Sequence, residues 1–184
     1  IGILKLVMDN YIFKKDAVLT KEESNNCIRY LELNKNPQKD TTREYFYIHP
    51  APSLEWPEFK FLENILITNV NEYVQQHLFL NQLYARWTID KLFNIQKYNP
   101  GDSYGSEHME HGKEDFDCKR LLAWMIYLND VKDKGGTCWP QQNFTSIPRT
   151  GDLYIWPAGW THSHYGVASP TEIKYIITGW CSFE

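Results

Sequence analysis

The sequence predicts a mainly β fold with flanking helices, a sandwich or barrel built chiefly from the second half of the chain. Three observations carry this. From Trp87 onward, short β-rich runs are split by Gly, Pro and Asp at close spacing, the pattern of strands joined by tight turns. Upstream, two stretches instead repeat their apolar residues at helical spacing. A hydrophobic content of 42%, with 15% aromatic, gives the 184 residues enough apolar surface for one full core.

In chain order, Asp9 to Leu19 reads as a short strand with a turn. Thr20, with Glu23 three positions on, is a capping-box start for a helix through about Leu33, its buried stripe formed by Cys27, Ile28, Leu31 and Tyr30. Residues 34–42 are polar with one proline and read as a loop. Tyr45-Phe-Tyr-Ile48 marks a strand within Arg43–His49, and Ala51 to Pro57 carries a turn. Phe59 to about Phe79 places Phe59, Leu62, Ile65, Leu66, Val70, Tyr73, Val74 and His77 near a 3.6-residue period, the mark of a long amphipathic helix packed on a sheet. His77 on that face reads as a structural histidine. Strands are then expected at about 90–99, 121–129, 136–140, 144–148, 151–156, 161–167 and 174–182. Gly101, Gly135-Gly136 and Gly151 read as turn residues, since none opens a helix after a strand.

Composition excludes several roles. A net charge of −4 and a pI near 5.9 argue against nucleic-acid phosphate as the main target. No window approaches the apolar length of a membrane span. Cys27, Cys118, Cys138 and Cys181 are scattered, with no Cys-x-x-Cys pair, which fits a reducing compartment better than a zinc cluster or a disulfide framework. The opening residues have no basic stretch or small-residue cleavage site, so no signal peptide is read and a cytoplasmic location is the expectation. The oligomeric state has no signature in the sequence.

The chemistry concentrates between Tyr98 and Trp180. In an extended segment, residues i and i+2 point to one face, so His108 and Glu110 are placed to grip one metal. A second imidazole comes from Thr161-His-Ser-His164, where both histidines would lie on one face of a strand. Two imidazoles and a carboxylate on one side of a ferrous ion leave positions open for oxygen and a substrate. His111 and Glu107 compete with the first pair, and His162 with His164. Lys174 stands in the apolar run Ile173-Lys-Tyr-Ile-Ile177, where a buried ammonium requires an anion.

The order of motifs resembles a known family. Tyr98-x-x-Gly101-x-x-Tyr104, Arg120 leading into Ile126-Tyr-Leu-Asn129, Gly135-Gly-Thr137, Pro148-x-x-Gly151-Asp-Leu-Tyr-Ile-Trp156 and His164…Lys174-Tyr-x-x-Thr-x-Trp180 resemble the prolyl-4-hydroxylase-like branch of the iron(II)/2-oxoglutarate dioxygenases, over about residues 90–182. The resemblance implies a double-stranded β-helix, the cupin-like jelly roll, buttressed by the N-terminal helices. It implies one domain over 1–184, with 1–86 as helical and β support and 87–184 as the catalytic core. His108, Glu110 and His164 would hold Fe(II), His164 being chosen because it stands ten residues before Lys174, as the family's distal ligand does. His162 would then be a supporting donor or a wall. Lys174 would take the far carboxylate of 2-oxoglutarate, helped by Tyr127, with Tyr98 and Thr178 hydrogen-bonding nearby. Arg120 would stand at the substrate mouth and Trp180 on the pocket wall.

Two features depart from the family pattern. The carboxylate is Glu where Asp is usual, and one extra residue precedes His108, implying a small bulge. The implied cofactors are Fe(II), 2-oxoglutarate and O2, with ascorbate as a candidate auxiliary reductant. The implied activity is hydroxylation of a C–H bond, in a prolyl residue of a peptide or protein. A hydroxylase of a free amino acid or other small molecule, and a non-catalytic jelly-roll binding module, are the alternatives. Halogenation is disfavoured by Glu110, because related halogenases lack the carboxylate.

Overall fold

The computed structural model describes residues 9–33, 37–40, 43–48, 52–112 and 114–184. Its strands, in chain order, are β1 Phe13–Lys15, β2 Pro37–Asp40, β3 Arg43–Ile48, β4 Trp87–Ile89, β5 Asn94–Tyr98, β6 Arg120–Tyr127, β7 Thr137–Trp139, β8 Phe144–Thr145, β9 Leu153–Pro157, β10 Tyr165–Gly166 and β11 Lys174–Phe183. The helices are α1 Lys21–Leu33, α2 Lys60–Gln76 and the single turn α3 Asp115–Cys118. One curled sheet runs β1-β9-β6-β11-β5-β3-β2, with β4 also pairing β11, and a smaller sheet runs β10-β7-β8.

The centre of the large sheet explains its sequence. β6 reads Arg-Leu-Leu-Ala-Trp-Met-Ile-Tyr, apolar at nearly every position, because both its faces are covered. Leu122, Trp124 and Ile126 join the core that includes α1 and α2, while Ala123, Met125 and Tyr127 join a second core with Trp139 of the small sheet. Trp139 packs edge-on against Trp156 at 5.2 Å and near-parallel to Tyr154 at 6.1 Å, which seats the small sheet on the large one. The expected jelly roll is the fold observed.

The helices buttress the outer face as expected. At the start of α1, the Glu23 N–H donates to Thr20 Oγ1 at 3.2 Å and the Thr20 N–H donates to Glu23 Oε2 at 2.8 Å, so both halves of the capping box form. α1 buries Ser24, Cys27 and Leu31. α2 buries Leu62, Leu66, Val70, Tyr73 and Val74 against the sheet. Each of those aliphatic side chains contributes about 1.5–3 kcal/mol on burial, and Leu66→Ala would cost about 2–5 kcal/mol through the cavity it leaves. α2 ends at Gln76 rather than near Phe79, and a 3-10 turn over Leu78–Gln82 follows. His77 is structural, its ring 4.4 Å from that of Tyr73 and 5.1 Å from that of Tyr11.

Several expectations are corrected. The segment taken as a loop at 34–42 contains β2, which pairs antiparallel with β3; residues 34–36, 41–42 and His49 lie outside the described residues, as does the start of the chain through residue 8. The strand expected at 161–167 shrinks to β10, because Trp160–His162 forms a 3-10 turn. In keeping with β support from the first half of the chain, β1, β2 and β3 are strands of the same sheet as β5, β6, β9 and β11. Gly101, Gly135 and Gly151 have positive φ, whereas Gly136 is required by crowding, since a Cβ there would lie 2.1 Å from the Ser146 carbonyl oxygen. Among the described residues, no helix is long and apolar enough to cross a membrane.

Candidate active site

The segment carrying His108 is held to the segment carrying His164 by an isolated antiparallel bridge. His108 N–H donates to His164 O at 3.0 Å and His164 N–H to His108 O at 2.8 Å. Two residues further from that bridge, Gly166 N–H donates to Tyr104 O at 2.8 Å. Two residues on one side thus face four on the other, and the surplus bulges out around Ser106. A bulge from one extra residue is the expectation; the surplus here is two, and the excursion has a use. The Ser106 carbonyl oxygen lies 2.9 Å from His108 Nδ1, which fixes the proton on that nitrogen and leaves the lone pair on Nε2. His164 is set in the same way, its Nδ1 2.9 Å from the His162 carbonyl oxygen. Orientation of a ligating imidazole through its other nitrogen is the usual support of a metal ligand.

Glu110 joins them because its N–H donates to Ala158 O at 3.0 Å, keeping the segment extended past the bridge. Its Oε1 lies 3.1 Å from His164 Nε2, and the His108 and His164 rings are 4.4 Å apart between centroids. The ligand atoms of all three fall within 4.8 Å of one another. Two adjacent ligands each about 2.1 Å from one ion stand about 3 Å apart, so the Glu110–His164 spacing suits a shared metal. Burial alone would raise the Glu110 carboxyl, but the contact with His164, the nearby His108 and the Trp180 indole together bring it down to about 2. The donor set is one carboxylate and two imidazoles, which fits a divalent transition metal.

These residues line a cavity of about 310 Å³ between the two sheets. Lys174 lines the same cavity, 3% exposed, with its Nζ 4.6 Å from the Tyr98 ring centroid. No carboxylate among the described residues pairs with it, and burial lowers its pKa to about 8. Tyr98, Thr178, Arg120 and Trp180 line the same cavity, so eight of the nine expected residues converge. Tyr127 is the exception. It is completely buried and does not line the cavity, its hydroxyl engaged by Ser146 Oγ at 2.7 Å and by Thr137 Oγ1 at 3.2 Å. Thr137 lines the cavity in its place.

The competing ligands are tied elsewhere. Glu107 is exposed and accepts a hydrogen bond from Ser163 Oγ at 2.5 Å. His111 Nε2 meets the Arg120 carbonyl oxygen at 2.7 Å. His162, expected on a strand face beside His164, sits in the 3-10 turn with Nε2 2.9 Å from the Asn10 carbonyl oxygen and Nδ1 3.0 Å from Thr161 Oγ1. Its carbonyl, not its ring, supports His164.

Gln96 was not singled out from the sequence. It lines the cavity, accepts from the Tyr98 hydroxyl at 2.5 Å and donates to Thr178 Oγ1 at 3.2 Å, so it couples two expected site residues. The signal was present in the alternation Asn94, Gln96, Tyr98 along β5, three polar-tipped side chains on one face.

Residues 93–182 match the family model described as the 2OG-Fe(II) oxygenase superfamily. Solved structures of the same fold include a viral collagen prolyl hydroxylase from Paramecium Bursaria Chlorella virus-1, 18% identical over 93% of this chain and 95% of that one, with a TM-score of 0.69. A prolyl-4-hydroxylase from Pseudomonas putida is 18% identical over 95% of this chain and 93% of that one, with a TM-score of 0.65. A prolyl hydroxylase from Trichoplax adhaerens, in complex with a hypoxia inducible factor peptide fragment, is 15% identical over 94% of this chain and 84% of that one, also at 0.65. Comparison with curated protein sequences finds no match. Residues 93–182 thus match the 2OG-Fe(II) oxygenase superfamily, whose name gives Fe(II) and 2-oxoglutarate as what it uses, and the chain shares the fold of these solved enzymes.

Proposed function

We propose that the protein hydroxylates a prolyl residue in a peptide or protein, with His108, Glu110 and His164 holding iron and Lys174 holding the far carboxylate of 2-oxoglutarate. The observation that carries this reading is Lys174, a buried ammonium without a carboxylate partner among the described residues, in the same cavity as the three candidate ligands. A buried charge of that kind calls for an anion, and a dicarboxylate reaching from the metal supplies it. Bound there, ferrous iron supplies the coupling of 2-oxoglutarate decarboxylation to insertion of one oxygen atom into a C–H bond.

The chain's own residues do the rest. His108 and His164 present Nε2, and Glu110 adds the one negative charge of the set. The Tyr98 ring lies against the ammonium, and Gln96 aligns the hydroxyls of Tyr98 and Thr178 along the wall between. Trp124, Trp156 and Trp180 line the cavity and keep water from the reacting atoms. Arg120 and Trp180 stand on the substrate side. The whole chain acts as one catalytic domain in this reading, and ascorbate serves to keep the metal ferrous.

Prolyl specificity rests on likeness to the prolyl hydroxylases above, so the test must separate peptide from free amino acid. The protein is loaded with Fe(II) and 2-oxoglutarate, with and without ascorbate, and offered proline-rich peptides, free proline and other free amino acids. Mass spectrometry is expected to find one added oxygen on a peptide prolyl residue. Oxygen added only to a free amino acid would replace this reading with the small-molecule one.

A further inference from the structure

Glu110 has two oxygens, and they have different surroundings. Oε1 faces His164 Nε2 at 3.1 Å. Oε2 accepts a hydrogen bond from the Trp180 indole N–H at 2.7 Å. The indole is itself fixed, because the Arg120 guanidinium carbon lies 3.8 Å from its ring centroid. Arg120 also donates from Nη1 to the Glu110 carbonyl oxygen at 2.9 Å and pairs through Nη2 with Asp117 at 2.7 Å. One cation therefore holds the Glu110 backbone and the far oxygen of its side chain, the latter both directly at 3.9 Å and through the stacked indole.

Resting on the metal reading above, we propose that Trp180 is a positioning residue for the metal ligand Glu110, with Arg120 locking it in place. A glutamate side chain has one more rotatable bond than the aspartate usual in this position, and is free to turn either or both oxygens to an ion. The indole N–H removes that freedom. It engages Oε2, directs Oε1 alone toward the metal, and takes up the extra methylene by reaching the carboxylate from β11. Trp180 and Arg120 thus act first on the ligand rather than on the substrate. The arrangement is the carboxylate counterpart of the carbonyl oxygens that orient His108 and His164.

The test uses metal binding, not turnover. Co(II) is titrated into the full chain without oxygen, following affinity and the visible absorption that reports coordination number. Trp180→Phe keeps a ring for Arg120 and deletes the N–H. It is expected to weaken Co(II) by about 10-fold, within the range for supporting residues of metal sites, and to change the absorption as the second oxygen turns inward. The metal-free protein should still melt cooperatively, at a somewhat lower temperature because Oε2 loses its donor. In a Glu110→Asp background the shorter side chain no longer reaches the indole, so adding Trp180→Phe should change nothing further.

Wild-type affinity and spectrum in Trp180→Phe would overturn the proposal, as would an equal loss in both backgrounds. Failure of the wild type itself to bind Co(II) would overturn the metal reading instead. Should Trp180→Phe not fold, Trp180→Leu makes the same test, since it also deletes the N–H: weaker Co(II) with an altered spectrum supports the proposal, and unchanged binding overturns it.

Discussion

His108 and His164 are bonded to each other through their main chains, N–H to carbonyl in both directions at 3.0 and 2.8 Å. The bridge brings two distant segments to one point, and the carbonyl oxygens of Ser106 and His162 then turn each ring by its Nδ1. Position and tautomer of both imidazoles are set by backbone, so the placement of these two rings depends little on neighbouring side-chain choices.

His164→Ala is expected to abolish binding of ferrous iron or of a Mn(II) substitute, since it removes one of three ligands. His162→Ala is expected to keep the metal and lower stability by about 1–3 kcal/mol, because it strips a partner from the Asn10 carbonyl oxygen. Metal titration and urea unfolding of both variants check this. Metal loss in His162→Ala with retention in His164→Ala would reverse the ligand choice.

Glu110→Asp keeps the charge but draws the carboxylate back from both His164 and Trp180. It is expected to weaken metal binding by about 10–100-fold, and Glu110→Ala by more, since no anionic ligand remains. Were Glu110 only a loop residue, either change would stay within about 0.5 kcal/mol in stability and leave the metal untouched. Mn(II) titration of wild type and both variants separates the outcomes.

Tyr127→Phe leaves the Ser146 and Thr137 hydroxyls without a shared partner in the core. A loss of about 1–3 kcal/mol in folding stability is expected, with 2-oxoglutarate affinity close to wild type because the hydroxyl does not line the cavity. A large fall in affinity without a fall in stability would return Tyr127 to direct contact with the co-substrate.

Lys174 gives two pH dependences of opposite sign. Only the ammonium holds an anion, and burial lowers its pKa from 10.5 to about 8, so 2-oxoglutarate affinity should fall as pH rises through about 8. Folding goes the other way. Between about 8 and 10.5 the unfolded chain binds a proton that the folded chain has released, so the metal-free protein should gain stability as pH rises across that window. Lys174→Met should remove both effects, stabilise the metal-free protein near neutral pH by something on the order of 3 kcal/mol, and lose the co-substrate. Calorimetric titration and denaturant unfolding across the range check each sign.

Much of this arrangement was legible in the sequence where a local rule decides the outcome. Thr20 and Glu23 announce the start of α1, and the apolar period of 59–74 announces α2, because capping and amphipathic burial are short-range. The strand at 121–129 and the motif order around His108, Glu110, His164 and Lys174 were equally plain. What escaped depended on contacts distant in sequence. Polar Pro37–Asp40 reads as loop, yet it is a strand because β3 lies alongside to pair with it. Tyr127 has the right neighbours in sequence for a co-substrate ligand, but Ser146 and Thr137 reach its hydroxyl first. Gln96 has no motif of its own; it matters because Thr178, 82 residues away, faces it across two paired strands.

The central claim is that the three ligands and Lys174 form one site for iron and 2-oxoglutarate. Succinate production measures this most directly, in wild type, His164→Ala and Lys174→Met, each with and without Fe(II) and oxygen and without any added prime substrate. Slow succinate release by the wild type that requires both iron and oxygen, is absent in His164→Ala, and in Lys174→Met appears only at far higher 2-oxoglutarate is the expected result. Succinate formed without iron, or at the same rate by all three proteins, would contradict it.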